Sequence, residues 1–237
     1  MTHPTYLWPP PSVASLPVVG SSARYPVNRI FCVGRNYQAH AIEMGMKGVD
    51  KEASRPFYFT KTPAALVDSG ATIPYPPGTA DFHHEMELVV ALGAPGFRVA
   101  EADAHRLIHG YAAGLDMTRR DLQAIAREAG RPWDLAKDFE NAAVCSAILP
   151  AGDLGVLDSG AITLAVNGVT RQSGDVSQLI WNIGEIIADL SQFYHLQAGD
   201  LIYTGTPEGV GAVGPGDRIT GHIDRVGDVE LTIGPAE

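Results

Sequence analysis

Glu85-Met86-Glu87-Leu88-Val89-Val90-Ala91-Leu92 is the stretch on which the reading of the fold turns. Its pattern alternates, and a period of two argues for a β-strand. Successive strand side chains point to opposite faces, so Glu85 and Glu87 share one face while Met86, Leu88 and Val90 take the other. Taken alone, two carboxylates at alternate positions describe a solvated strand face.

Upstream, Ile30-Phe31-Cys32-Val33 and Pro56 to Thr60 are further short strand candidates. Between them Tyr37 to Met46 has helical character ending at Gly45 or Gly48, and the run from Met44 to Ser54 is polar and charged, as a mobile loop would be. Ser69 to Ala80 reads as a long Pro/Gly loop. Downstream, the apolar run Tyr111 to Leu115 leads to Asp116. Thr118 reads as a helix N-cap with Asp121 three positions on, and Leu122, Ile125 and Ala126 trace an apolar stripe that Gly130 closes. Apolar residues recurring at three and four between Val176 and His195 predict the longest helix. From Leu201 onward short alternating strands are split by glycine. With 26 Gly and 17 Pro, the chain is turn-rich. The expected class is α+β and β-rich, with an extended arm over residues 1–26 and a single domain over 27–237.

Composition excludes several classes of partner. Lys and Arg total 17 against 27 Asp and Glu, a formal charge of -10, with no basic run to attract nucleic acid. No apolar run approaches the ~20 residues of a membrane span. The N-terminus has neither the basic start nor the apolar core of a secretory signal. Cys32 and Cys145 are too few and too far apart for a disulfide scaffold, which points to a reducing cytoplasm. Gly209-Val210-Gly211-Ala212-Val213-Gly214 matches the dinucleotide-binding string, but Pro215, Gly216 and strands follow instead of the helix that string requires.

The chemistry-bearing residues fall into three groups. Glu85, Glu87 and Asp116, if brought together, would repel unless protonated or bridged by a hard cation: magnesium, or else manganese or calcium. His40 and Glu43, three apart in a helical turn, form a carboxylate-oriented imidazole of the kind a general base needs. Lys137 is flanked by Trp133 and Phe139, and Gln123 lies four residues after Arg119. A competing pattern, His83 and Glu85 with a later histidine such as His109, would suit a non-haem iron triad.

Read in order, five motifs resemble the fumarylacetoacetate hydrolase superfamily from about Val27 to the end. They are Cys32-Val33-Gly34-Arg35-Asn36-Tyr37 with His40 and Glu43; His84 to Leu88; Gly114 to Gln123; Pro132 to Lys137; and Leu201 to Gly211. The resemblance implies a mixed β-roll with a few peripheral helices, assembled as a dimer. It implies that Glu85, Glu87 and Asp116 bind the metal. His40 and Glu43 would be a catalytic dyad on a lid of about residues 38–55, and Lys137 would stabilise the oxyanion. Arg35, Gln123 and Thr206 would contact substrate. Within the superfamily the wording is most like members that cleave fumarylpyruvate in bacterial gentisate breakdown. Oxaloacetate decarboxylases and 5-carboxymethyl-2-hydroxymuconate-type isomerases share the fold. Arg119 stands where many relatives carry alanine, so Arg119 or Arg120 is expected to read the distal carboxylate of a dicarboxylate.

Overall fold

The computed structural model describes residues 5–236, so the first four residues of the expected arm lie outside the described residues. In chain order the elements begin β1 (Ser15–Pro17), β2 (Arg24–Pro26), β3 (Arg29–Gly34), α1 (Gln38–Glu43), β4 (Phe57–Lys61), β5 (Leu66–Asp68), β6 (Ala71–Tyr75), β7 (Phe82–His84) and β8 (Met86–Leu92). The middle of the chain forms β9 (Ile108–Asp116), β10 (Thr118–Arg119), α2 (Arg120–Glu128), α3 (Asp134–Lys137), β11 (Ala143–Cys145), β12 (Leu149–Pro150), β13 (Ala161–Val166) and β14 (Val169–Asp175). It closes with α4 (Ile183–Leu190), β15 (Asp200–Tyr203), β16 (Gly211–Ala212), β17 (Arg218–Ile223) and β18 (Gly227–Ala236).

These strands build two main mixed sheets. One runs β4-β3-β15-β8-β9-β11-β5, with β12 added to β9, and the other runs β14-β13-β17-β18-β6. The pairs β15–β3, β11–β5 and β18–β6 are parallel and the rest antiparallel. All seven residues of β8 are buried, because this strand is central in its sheet and the second sheet packs against it. The approach is close. A Cβ at Gly221 of β17 would lie 2.4 Å from Met86 Sδ, so any other residue there would have to displace the Met86 side chain. Each fully buried Leu or Val in this layer contributes about 1.5–3 kcal/mol relative to exposure. The mixed, β-rich α+β architecture is the one expected. Among the described residues no helix is long and apolar enough to cross a membrane.

Several local expectations are corrected. The predicted solvated face of β8 is instead buried: Glu85 and Glu87 are 4% and 2% exposed. Thr118 is not an N-cap. It pairs with His83 in the short ladder of β10 and β7, its hydroxyl donates to the Asp116 carbonyl, and α2 starts only at Arg120. The stripe of Leu122, Ile125 and Ala126 does not face a core, since Ile125 is 59% exposed and the buried residues of α2 are Arg120 and Gln123. This helix turns a polar face inward, toward acidic groups.

The helix predicted from Val176 to His195 is shorter. Asn182 caps α4 in a reciprocal box with Glu185, while Asp175 and Gln178 cap a separate single turn. Between them Leu179 bridges to Tyr37 and Ile180 donates to the Asn36 carbonyl. Extended docking there buries residues that the 3.6-residue pattern had assigned to helix. Within the Ser69 to Ala80 loop the chain forms β6, an edge strand on which Pro74 is tolerated. In the N-terminal segment β1 and β2 pair as a hairpin, and Leu16 and Tyr25 enter the core.

Candidate active site

The acidic residues meet where β8 and β9 pair. Met86 lies opposite Leu115, and the Asp116 amide donates to the Glu85 carbonyl at 2.9 Å, so Glu85 and Asp116 face each other across the ladder. Glu87, two residues along β8, points the same way. One carboxylate oxygen from each of the three lies within 4.8 Å of the others, and all three side chains are buried.

Three cations hold part of this charge. Lys137 Nζ bonds Glu85 and Asp116, both at 2.7 Å, as well as the Thr118 hydroxyl. Lys61 Nζ lies 2.8 Å from Asp116, and Arg120 Nη2 2.5 Å from Glu85. Burial alone would lower the Lys137 ammonium, but Asp116 and Glu85 outweigh it and raise it, so it stays charged. Burial likewise raises the Glu85 carboxyl, yet Lys137 and Arg120 prevail and hold it below the ordinary range.

Glu87 differs. Its carboxylate accepts from the Gly205 amide at 2.8 Å, and among the described residues no cation lies within ion-pair distance. Burial, then Asp116 and Glu85, push it well above the ordinary carboxylate range. Three converging buried oxygens, one of them uncompensated, are the donor set that a hard divalent cation takes. The triad supports a divalent metal on this observation.

His40 and Glu43 sit on α1, beside this triad. His40 Nδ1 lies 3.1 Å from Glu43 Oε2, and Glu43 Oε1 accepts the Gly209 amide at 3.0 Å. With Glu43 as acceptor on Nδ1–H, the Nε2 lone pair is the one free to take a proton. Gly209 must be glycine: its φ is +91° and a Cβ would lie 2.0 Å from the Arg171 carbonyl. The segment after α1 is folded over the site in this structure. Gln38 pairs with the Val49 backbone, Lys51 with Glu185, and Arg55 with Asp189.

One cavity gathers most of the predicted site residues. Arg35, His40, Glu85, Glu87, Asp116, Gln123, Lys137 and Thr206 all line it. Glu43 reaches it through His40. Arg35 has a left-handed φ of 62°, and its guanidinium stands 5.4 Å over Phe57 and 5.9 Å over Trp133. Thr206 accepts from Gln172 Nε2 at 2.8 Å, which turns its own proton toward the cavity.

Arg119 is not brought to this cavity. Its guanidinium lies 4.1 Å over Phe139 and donates to the Leu135 carbonyl, because β10 directs alternate residues to opposite sides. Arg120 faces the site instead. His83 bonds Asp81 at 2.8 Å and His109 stacks on Tyr25, so these histidines do not join Glu85 in an iron triad. Sequence reasoning missed Lys61, whose side chain is wholly buried against Asp116. Its one signal is a lysine ending an aromatic strand. Arg127, also missed, lines the same cavity from the last turn of α2.

Comparison with known proteins agrees with this geometry. The family profile described as fumarylacetoacetate (FAA) hydrolase C-terminal matches residues 29–234. A fumarylpyruvate hydrolase from a Ralstonia species is 62% identical over 189 residues, covering 80% of this chain and 98% of its own. An oxaloacetate tautomerase from Escherichia coli is 39% identical over 206 residues, covering 86% and 92%. The crystal structure of fumarylpyruvate hydrolase from Pseudomonas aeruginosa in complex with Mn2+ and pyruvate is 44% identical. It superposes with a TM-score of 0.92 over 98% of this chain and 100% of its own. On fold, motif order and converging acidic side chains together, the chain belongs to the fumarylacetoacetate hydrolase family.

Proposed function

We propose that this chain hydrolyses a carbon–carbon bond in an acylpyruvate, namely fumarylpyruvate, to fumarate and pyruvate. The observation that carries the reading is the meeting in one cavity of a carboxylate-oriented imidazole, a charged buried lysine and three convergent carboxylates. The relatives that act on fumarylpyruvate support the choice of substrate. Glu85, Glu87 and Asp116 would hold the ion, Mg2+ as the working metal. When bound, such an ion supplies Lewis-acid charge that favours electron density gathering on the pyruvate half.

The protein's own groups do the rest. His40 Nε2 removes a proton from water, and the hydroxyl adds to the keto carbon that joins the fumaryl group to the methylene. Glu43 stabilises the imidazolium that forms. Gln123 donates to the developing oxyanion, and Lys137, whose three N–H groups hold Glu85, Asp116 and Thr118, stabilises it by its positive charge; a preorganised donor of this kind is worth about 3–4 kcal/mol. Gln123 Oε1 accepts from Arg120, which leaves its amide N–H groups to donate. As the bond to the methylene breaks, its electron pair passes to the pyruvate half. The proton held on His40 returns there. On this reading the enzyme acts as a homodimer in the cytoplasm, late in gentisate-type aromatic breakdown. The two free, buried thiols suit a reducing compartment.

The test is turnover by purified protein of fumarylpyruvate, acetylpyruvate and oxaloacetate, each with Mg2+ and with chelator. Loss of fumarylpyruvate enol absorbance with release of pyruvate, abolished by chelator, is expected. Carbon dioxide release or enol–keto interconversion from oxaloacetate, with no acylpyruvate cleavage, overturns the proposal.

A further inference from the structure

The wall of the active-site cavity carries more positive charge than its carboxylates occupy. Lys61, Lys137 and Arg120 are all engaged with Asp116 or Glu85. Arg35 and Arg127 line the same cavity, and among the described residues neither has a carboxylate within ion-pair distance. Both also line a wider outer cavity, together with Phe59, Trp133 and Lys137, so they stand where the two spaces join. The chain as a whole is strongly acidic, which makes two uncommitted guanidinium groups at an inlet a local inversion of charge.

The spacing along α2 gives these arginines an order. Arg120, Gln123 and Arg127 fall at i, i+3 and i+7, which is one helix face. At 1.5 Å per residue Arg120 and Arg127 are separated by about 10 Å along the axis. Arg120 is bound to Glu85 and so marks the acidic end, while Arg127 marks the outer end. That separation is comparable to the extended distance between the two carboxylates of fumarylpyruvate. A substrate with its pyruvoyl end at the triad and extended along this face points toward Arg127.

Of the other arginines of this region, Arg35 is stacked over Phe57 and Trp133 and Arg131 lines only the outer cavity. Both terminal nitrogens of Arg120 are used, by Glu85 and by Gln123, and Arg119 stacks on Phe139. Arg127 spends only Nη1, on the carbonyl of Met44 at the end of α1, at 3.1 Å. Its Nη2 and Nε edge remains for a planar anion, the geometry in which guanidinium binds carboxylate best. Met44 itself lines the cavity and follows the His40–Glu43 dyad directly.

We propose that Arg127 is the specificity-determining residue of this site: it grips the distal carboxylate of a dicarboxylic acylpyruvate while holding the end of the lid helix closed. The inference rests on the acylpyruvate reading above and assigns the part of the substrate that the triad and dyad do not touch. Arg35, fixed over Phe57 and Trp133, adds positive potential at the same junction.

The test compares fumarylpyruvate with acetylpyruvate, which ends in a methyl group. kcat/KM is measured for both in the parent, Arg127→Met and Arg127→Lys. A charge-assisted hydrogen bond contributes about 1.5–3 kcal/mol, so the fumarylpyruvate-to-acetylpyruvate ratio is expected to fall roughly ten- to a hundredfold in Arg127→Met. The loss should appear mainly in KM for fumarylpyruvate, with partial recovery in Arg127→Lys. Calorimetric binding of fumarate and of crotonate, its monocarboxylate counterpart, reads the same subsite without turnover. The parent should prefer fumarate and Arg127→Met should not. If both substrates lose equally, Arg127 only latches the lid, and the specificity assignment is overturned. A parent that prefers fumarate in an Arg127-dependent way yet cleaves no acylpyruvate would keep the subsite and refute the reaction instead.

Discussion

Replacing Glu87 by glutamine separates what the fold needs from what the metal needs. Glu87 is buried, accepts one amide, and has two carboxylates beside it but, among the described residues, no cation within ion-pair distance. Its carboxyl is raised far above the ordinary 4.5, by burial first and then by Asp116 and Glu85. In chelated protein the fold therefore retains a proton that the unfolded chain releases above that value. Stability falls as pH rises above the ordinary carboxylate value, by at most about 1.4 kcal/mol per pH unit.

Glutamine keeps the shape, still accepts from Gly205, and can donate to the neighbouring carboxylates. Under chelator Glu87→Gln should be more stable than its parent at pH 7, with a higher Tm and a flatter pH profile between 5 and 7. With metal the gap should close. Ion at a hundred times its Kd stabilises the parent by about 2.7 kcal/mol, or about 5–11 °C, and the variant should show almost none of it. Thermal unfolding across pH, with EDTA and with Mg2+ or Mn2+, measures both arms. A variant less stable than its parent under EDTA, or one keeping the full metal-dependent shift, would refute the reasoning.

Three other substitutions probe neighbouring parts of the site. Lys61→Met leaves Asp116 short of one of its two lysines and should cost about 3–5 kcal/mol, read as a fall in unfolding free energy by denaturant titration; a loss under 1 kcal/mol would mean that Lys137 alone suffices. His84, lowered to about 4 mainly by burial, is neutral in the fold and bonded to Gln172. Its contribution is present above the unfolded value of 6.5 and is lost as pH falls toward 4, up to about 3 kcal/mol. The difference between parent and His84→Asn should shrink over that interval. His40→Ala should lower kcat for fumarylpyruvate by about 10²–10⁴ while the metal-dependent gain in Tm survives; loss of both would place His40 in the metal site rather than in proton transfer.

The strand containing Glu85 and Glu87 was legible because its period of two survives in the fold. What lies beyond that face was not. Alternation reports that two groups share a side, and a carboxylate looks the same in sequence whether water or a metal site faces it. Burial depends on β9 and β15 packing against both edges of β8, which are non-local pairings. The same limit explains the shortened α4: Leu179 and Ile180 keep a helical spacing, yet their backbones are claimed by Tyr37 and Asn36, far away in the chain. For α2 the apolar stripe misled because the pocket selects Arg120, Gln123 and Arg127, which share a helical face for polar reasons. Lys61 was invisible for want of a partner. Asp116 lies more than fifty residues downstream and meets it only through the order β4-β3-β15-β8-β9.

The stretch after β15 shows why a misleading motif and the catalytic geometry occupy the same residues. Thr204 Oγ1 donates to the Leu88 carbonyl and so seats the loop on β8. The next amide, Gly205 N–H, donates to Glu87, Thr206 lines the cavity, and the Gly209 amide donates to Glu43. Glycine is used here because Gly205 and Gly209 both have left-handed φ and a Cβ would strike Asn36 or the Arg171 carbonyl, and the turn so made aims their amides at carboxylates as a dinucleotide loop aims its amides at phosphates. One short loop thus touches both an acid of the triad and the partner of the general base. The Gly209–Glu43 and Arg127–Met44 bonds both tie α1 and its end to the body of the site. His40 and Glu43 lie three apart on that same helix, so the pair is carried by it as a unit. Gly209 and Arg127 both anchor the segment that carries α1, so the seat of His40 and Glu43 beside the triad and the place of the inlet arginine depend on the same few residues.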